Sequence, residues 1–184
     1  MINKKIWVAM FSQSGLEIAN VSKRLGRIPD VVLTNKDIED MDTINTLLTK
    51  SCAEVLTLFS TRKPSVDSYI TAIPEKAIVT MHGYLRIIPA EVCEKRTIYN
   101  LHPANLIMHP QLKGLDPQKK AFKMKLGLSG NTIHECTAEL DSGKIITSSV
   151  VDIAGLKLNG IIDALHSDAE NLWVQFLKDK LNEY

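Results

Sequence analysis

The stretch "KIWVAMFSQSGLEIANVSKRLG", residues 5–26, decides the fold. Its opening, Lys5 to Phe11, is a short, nearly unbroken apolar run, the signature of a strand buried on both faces. After "SQSG" the apolar residues Leu16, Ile18, Ala19, Val21 and Leu25 fall at helical spacing, and Gly26 supplies the stop. A buried strand that passes through Ser-Gly into an amphipathic helix is the first half of a βαβ unit.

The alternation continues along the first half. Strands are expected over Asp30 to Thr34, Ala53 to Phe59, Ala77 to Met81 and Thr97 to Leu101. Helices are expected over Asp42 to Ser51, with Asp42 or a neighbour as its cap, and over Ser65 to Ile73. Short connections between such elements imply right-handed crossovers, so the chain should form a Rossmann-like α/β fold. Its sheet is mostly parallel, with helices on both faces.

The second half changes character. "DPQKKAFKMKLG" reads as a helix opened at Asp116-Pro117 and stopped at Gly127. Asn131 to Leu140 and Lys144 to Ile153 are β-rich and separated only by "DSG", so they should pair as an antiparallel extension at the far edge of the sheet. Apolar residues at helical spacing from Asn159 to Lys180 predict a closing helix. The whole of 1–184 is read as one domain, with a βαβ phosphate-binding half over 1–100 and a second half over 101–184.

Composition narrows the functional classes. Lys plus Arg is 22 against 21 Asp plus Glu, a balance that argues against holding nucleic acid by its backbone. The three cysteines, Cys52, Cys93 and Cys136, form no CxxC, so neither zinc nor a disulfide framework is expected, and a reducing cytoplasm fits. No metal site is expected. No apolar run approaches the roughly 20 residues of a membrane span, and the start lacks a signal-peptide pattern.

Ligands of such sheets bind beyond the carboxyl ends of the strands. Asn100 and His102 stand there, in "YNLHP", before Pro103 ends the run. An amide donor, a histidine that acts as acid, base or cation, and the Asp141 of "ELDSGK" to hold it together suit an oxyanion formed when a nucleophile attacks a carbonyl. No Ser or Cys stands in a nucleophile elbow, so the attacker should be the substrate itself, for which an amine would serve. The bland reading of Asn-x-His, as hydrogen bonding at a strand end, stands beside this one.

Three segments carry a resemblance. His82-Gly83-Tyr84-Leu85-Arg86-Ile87-Ile88, Asn100-Leu101-His102-Pro103-Ala104-Asn105-Leu106-Ile107, and Gly130, Thr132, Ile133 and His134 followed by Leu140, Asp141, Gly143, Ile145 and Ile146 occur in this order. Together they resemble the folate-dependent formyltransferase family, in its glycinamide ribonucleotide transformylase branch. The resemblance implies 10-formyltetrahydrofolate as formyl donor and an amine, by default glycinamide ribonucleotide of purine biosynthesis, as acceptor. It implies Asn100 and protonated His102 as the oxyanion clamp and Asp141 as the support of His102. It makes the second half the folate-binding and catalytic one, and sets the folate against Leu85, Arg86, Ile87 and Ile88, near the end of the first half, and the loop Ala138, Glu139 and Leu140. The acceptor's phosphate falls to Ser12, Gln13, Ser14 and Gly15.

The acceptor side departs from the family. The usual glycine-rich loop with an asparagine is here "FSQSGLEI". The ribose-binding Glu falls at His166 in register, with Glu170 as a substitute one turn on. The segment after Pro103 lacks the family's usual glycine run. A formyltetrahydrofolate hydrolase, an N-formyltransferase for another amine such as an amino sugar nucleotide, and a non-enzymatic folate-binding regulator are the competing readings. A transfer-RNA formyltransferase would need an added basic domain. The expected partners are folate and a small amine, with no nucleic acid or membrane, in a monomer or homodimer. His134 reads equally as a packed strand residue or a site residue. His82 and His109 read as incidental, Arg86 as a surface cation, the "KKAFKMK" lysines as a solvated face, and Trp7 and Trp173 as core.

Overall fold

A computed structural model describes residues 5–35, 55–57 (backbone only) and 64–182. The opening stretch folds as read. β1, Trp7–Phe11, is buried at every position, and α1, Leu16–Leu25, comes after it. Gly15 makes the turn between them at φ 70°, a left-handed conformation that suits a residue without Cβ. Gly26 closes α1 in the same region, and its N–H donates to the Ser22 carbonyl.

Next come β2 (Val31–Thr34), β3 (Val55–Thr57), α2 (Val66–Ala72), β4 (Ile78–Met81), α3 (Ala90–Lys95) and β5 (Ile98–His102). Ser65 caps α2 by accepting from the Ser68 N–H. The helix expected over Asp42 to Ser51 lies outside the described residues. A short 3-10 turn (Pro110–Leu112), α4 (Pro117–Lys123), β6 (Leu128–Ser129), β7 (Thr132–Glu135), β8 (Ile145–Ser148), β9 (Val151–Asp152) and α5 (Leu158–Asn182) complete the chain.

Among the described residues the main sheet has seven strands in the order β3-β2-β1-β4-β5-β7-β8. β1 to β5 are parallel, while β7 pairs antiparallel with β5, and β8 with β7. The order runs outward from β1 on one side and from β4 on the other. The β1–β4 junction is therefore the switch point, where the chain leaves adjacent strand ends in opposite directions and opens a crevice.

Both faces are covered. On one, Trp7, Ala9, Phe11 and Tyr99 pack with Ile18 and Val21 of α1 and Leu172, Trp173 and Phe176 of α5. On the other, Val8, Met10, Val79, Met81 and Ile98 pack with Tyr69 and Ile73 of α2 and Val92 of α3. Strand alternation divides β5 between them. Ile98, Asn100 and His102 share one face, while Tyr99 and Leu101 take the other.

Four expectations need correction. The helix expected over Asp116 to Gly127 ends at Lys123. Asp116 is left-handed at φ 54° and makes no side-chain cap, and Lys125 turns left-handed at φ 50° before Gly127 is reached. The strand expected to Leu140 ends at Glu135; the Cys136 N–H still reaches the Ile98 carbonyl at 2.7 Å, the next rung of the β5–β7 register, and the chain then leaves as a loop. The strand expected over Lys144 to Ile153 divides into β8 and β9, and β9 joins β6 in a separate two-stranded sheet. At the break, Ser149 Oγ accepts from the Asn131 N–H, and the Ser149 carbonyl accepts from Asn105. The fourth is α3, a helix that the sequence pattern does not announce. It is only six residues long and begins behind Pro89, too short for periodicity to show.

Candidate active site

β5 and β7 lie in register, with Asn100 opposite His134 and His102 opposite Thr132. Directly opposed residues of an antiparallel pair project to the same face, so β7 brings His134 beside Asn100. Asn100 Nδ2 lies 3.4 Å from His134 Nε2. The loop after β7 returns across this face and delivers Asp141. Asp141 Oδ2 stands 3.2 Å from His102 Nδ1, and Oδ1 stands 3.4 Å from His134 Nε2.

The partners define the proton placement. His102 Nε2 lies 2.9 Å from the Leu112 carbonyl, which only accepts. Nδ1 faces the Asp141 carboxylate, which when ionised also only accepts. The Leu112 contact therefore needs a proton on Nε2, and the 3.2 Å approach of Nδ1 to the carboxylate is an ion pair whenever Nδ1 is protonated as well. His134 Nδ1 donates to the Glu135 carbonyl at 2.9 Å. Its Nε2 therefore accepts from Asn100 when the ring is neutral and donates to Asp141 when it is charged.

Asp141 is buried, and burial by itself raises a carboxyl pKa. The hydrogen bonds from His102 and His134, the His102 charge and the Gly114 N–H at 2.9 Å together outweigh it. They hold the carboxyl well below the usual carboxylate range. Asp141 sits at φ 51°, a left-handed position that aspartate tolerates better than most residues. Gly143 permits the tight return, since a Cβ there would fall 1.8 Å from the Glu135 carbonyl oxygen.

A narrow cavity of about 90 Å³ opens in front of this group. Asn100, His134 and Asp141 form its polar end. Met81, Arg86, Ile87, Ile88, Cys136, Thr137, Ala138, Glu139 and Leu140 form the rest. Six of the seven residues expected to hold folate are therefore brought together. Leu85 is not among them; its N–H donates to Ser12 Oγ at 2.8 Å, and its side chain points to solvent. His102 does not line the cavity; it lies behind Asp141. No hydrogen bond joins Asn100 and His102, so the two residues, separated in sequence by Leu101, are linked through His134 and Asp141.

A second cavity of about 270 Å³ lies at the switch point between β1 and β4. Gln13, Ser14, Gly15, Leu16 and Glu17 line it from the β1–α1 turn, His82 and Gly83 from the end of β4, and His166 and Glu170 from α5. Ser12 does not line it: its N–H donates to the Gly83 carbonyl at 3.2 Å and its hydroxyl accepts from Leu85, which ties the two cavities together. Each cavity draws residues from both halves of the chain.

The two histidines read as incidental part company. His109 Nε2 donates to the Leu128 carbonyl at 3.0 Å and stays outside both cavities. His82 instead is buried in the second cavity, with Nδ1 2.7 Å from Glu17 Oε1, Nε2 2.8 Å from Thr80 Oγ1, and its ring 4.7 Å from that of Trp173. The only available signal was its place at the end of a strand next to the switch point. Arg86, read as a surface cation, is exposed and also lines the first cavity. Trp7 and Trp173 are fully buried, as read.

Residues 8–176 match the model of the family described as Formyl transferase. The chain belongs to the formyl transferase family. It is an enzyme family whose formyl donor is 10-formyltetrahydrofolate. A stretch of 79 residues, 41% of the chain, is 34% identical to the chloroplastic phosphoribosylglycinamide formyltransferase of Arabidopsis thaliana, and spans 27% of that protein. Among solved structures, the phosphoribosylglycinamide formyltransferase of Campylobacter jejuni superposes with a TM-score of 0.78 at 18% identity, covering 96% of this chain and 98% of that one. A formyltetrahydrofolate deformylase from Pseudomonas syringae superposes at 0.77 and 20% identity, covering 96% of this chain and 61% of that one. These two likenesses establish the fold.

Among the described residues no helix is long and apolar enough to cross a membrane. Nor do the described residues group three or more His, Cys, Asp or Glu in a way that would hold a metal ion.

Proposed function

We propose that this protein transfers the formyl group of 10-formyltetrahydrofolate to the amine of a small acceptor held in the switch-point cavity. The observation that carries the reading is the group Asn100, His134 and Asp141 at the polar end of a narrow, mostly apolar cavity, with His102 behind Asp141. A folate ring system suits that cavity: apolar Met81, Ile87 and Ile88 face its flat surface, and the 136–141 loop offers backbone donors and acceptors at its edge. When bound, the donor supplies a formyl carbon open to attack by an amine.

The chain's own groups do the rest. The Asn100 amide donates to the formyl oxygen as charge collects there. The His102 imidazolium, fixed by the Leu112 carbonyl, places a positive charge near the same region. Asp141 keeps that ring charged. Because the Asp141 carboxyl is held well below the usual range, it is a weak proton acceptor, and its part is electrostatic. The amine nitrogen bonds to the formyl carbon, the bond from that carbon to the folate nitrogen breaks, and the proton the amine loses passes to water, which supplies one to the departing folate nitrogen.

The formyltransferases in the comparison are named for phosphoribosylglycinamide, so that amine, and with it purine nucleotide synthesis, is the first acceptor to try. The likeness to a deformylase favours one second reading, hydrolysis of the same donor by water with the same residues. Incubation with 10-formyltetrahydrofolate and a panel of amines separates them. Release of tetrahydrofolate that depends on an added amine, with formyl recovered on that amine, supports transfer. Release of formate at the same rate without amine would show a hydrolase.

A further inference from the structure

The switch-point cavity has a charge pattern that bears on the acceptor's chemistry. Glu17 sits in the first turn of α1, and Glu170 reaches in from α5. Both carboxylates are held in place. Glu17 Oε1 meets His82 Nδ1 at 2.7 Å, and Glu170 Oε1 accepts from Asn20 Nδ2 at 2.7 Å, with Arg24 3.4 Å from its other oxygen. Gln13, Ser14, His82 and His166 are the other polar side chains of the lining, and among the described residues no Lys or Arg joins them.

A helix N-terminus at a switch point ordinarily favours an anion. Here the field is countered from inside the same turn, because Glu17 adds a carboxylate to the lining of the cavity. Ser14 Oγ already accepts from the Leu16 N–H at 3.3 Å, so one of the free donors is spent within the protein. His82 does not reverse the sign. A neutral ring donates its Nδ1 proton and leaves Glu17 charged, and a protonated ring brings the pair to neutrality. A phosphate would meet one or two fixed carboxylates and no described ammonium or guanidinium side chain of the lining. Hydroxyl or ammonium groups would find two oriented acceptors.

Resting on the reading that this cavity holds the acceptor, we propose that the acceptor is an amine bearing hydroxyl or further ammonium groups and no phosphate, with Glu17 and Glu170 recognising its donors. The probes are glycinamide ribonucleotide and the same molecule without its phosphate, glycinamide ribonucleoside. Each is titrated calorimetrically into wild type and into Glu17→Gln, both saturated with a non-reactive folate analogue. Wild type is expected to bind the ribonucleoside at least about tenfold more tightly than the ribonucleotide, and Glu17→Gln to erase most of that preference. Tighter binding of the ribonucleotide by wild type overturns the inference whether or not the variant folds. Saturation with the folate analogue is measured first on the same samples. Its failure in folded wild type would count against the transfer reading itself, and so is distinct from a wrong acceptor class.

Discussion

The Asp141 carboxylate stands 3.2 Å from Nδ1 of His102, while the other nitrogen of that ring is engaged by the Leu112 carbonyl. The two residues are 39 positions apart in sequence (141 − 102), and the β7–β8 connection closes that distance. Their pairing sets an imidazole ring behind the cavity wall, with a single carboxylate between it and the cavity.

Asp141→Asn removes that charge partner and preserves shape, since asparagine also tolerates the left-handed φ of 51°. The formyl-transfer rate at neutral pH should fall by about 10². A variant rate within about tenfold of the wild type would reduce Asp141 to a loop residue.

The same carboxylate links stability to acid. Its pKa is depressed in the folded state, so its contribution is fully present above about pH 4 to 5, where an unfolded aspartate is ionised. The contribution is lost progressively as pH falls from there toward the folded value. Wild type should exceed Asp141→Asn by about 1 to 3 kcal/mol at pH 7, with the gap narrowing at pH 3. Urea melts of both proteins at the two pH values measure it; a gap that widens in acid would contradict the sign.

Gly143→Ala should damage fold and site together. A Cβ 1.8 Å from the Glu135 carbonyl forces β7 and the 136–141 loop apart, and the clash is with backbone, which cannot swing aside. A loss of about 2 to 3 kcal/mol in stability is expected, with weakened folate binding in the fraction that folds. Thermal melts with and without folate check this, and unchanged melting would show that the return of the loop is looser than described.

Features set by neighbours in the chain are legible in its sequence, and features set by distant packing are not. Trp7–Phe11 and Leu16–Leu25 announce themselves because a buried strand and an amphipathic helix are local patterns. Asn100 and His102 were legible because they share one strand end, and Asp141 was set beside them as a carboxylate able to hold the imidazole, a role the resemblance also implies. The link through His134 was not, since it depends on the β5–β7 register, which sets Asn100 opposite His134. Glu17 was hidden differently. On α1 it reads as an ordinary polar residue of an amphipathic helix, and only the packing of α5, which brings Glu170 to the same cavity, gives the pair a meaning. The end of α4 at Lys123 was misjudged because a left-handed Lys125, which sequence does not signal, turns the chain before Gly127.

The most direct test of the account is His102→Ala, measured for folate binding and for single-turnover formyl transfer in the same preparation. His102 lies behind the cavity wall, so binding of the folate should stay within about threefold of wild type, while transfer falls by about 10² to 10³. Transfer within about tenfold of wild type, at equal folate binding, would contradict the assignment of the His102–Asp141 pair to the chemistry.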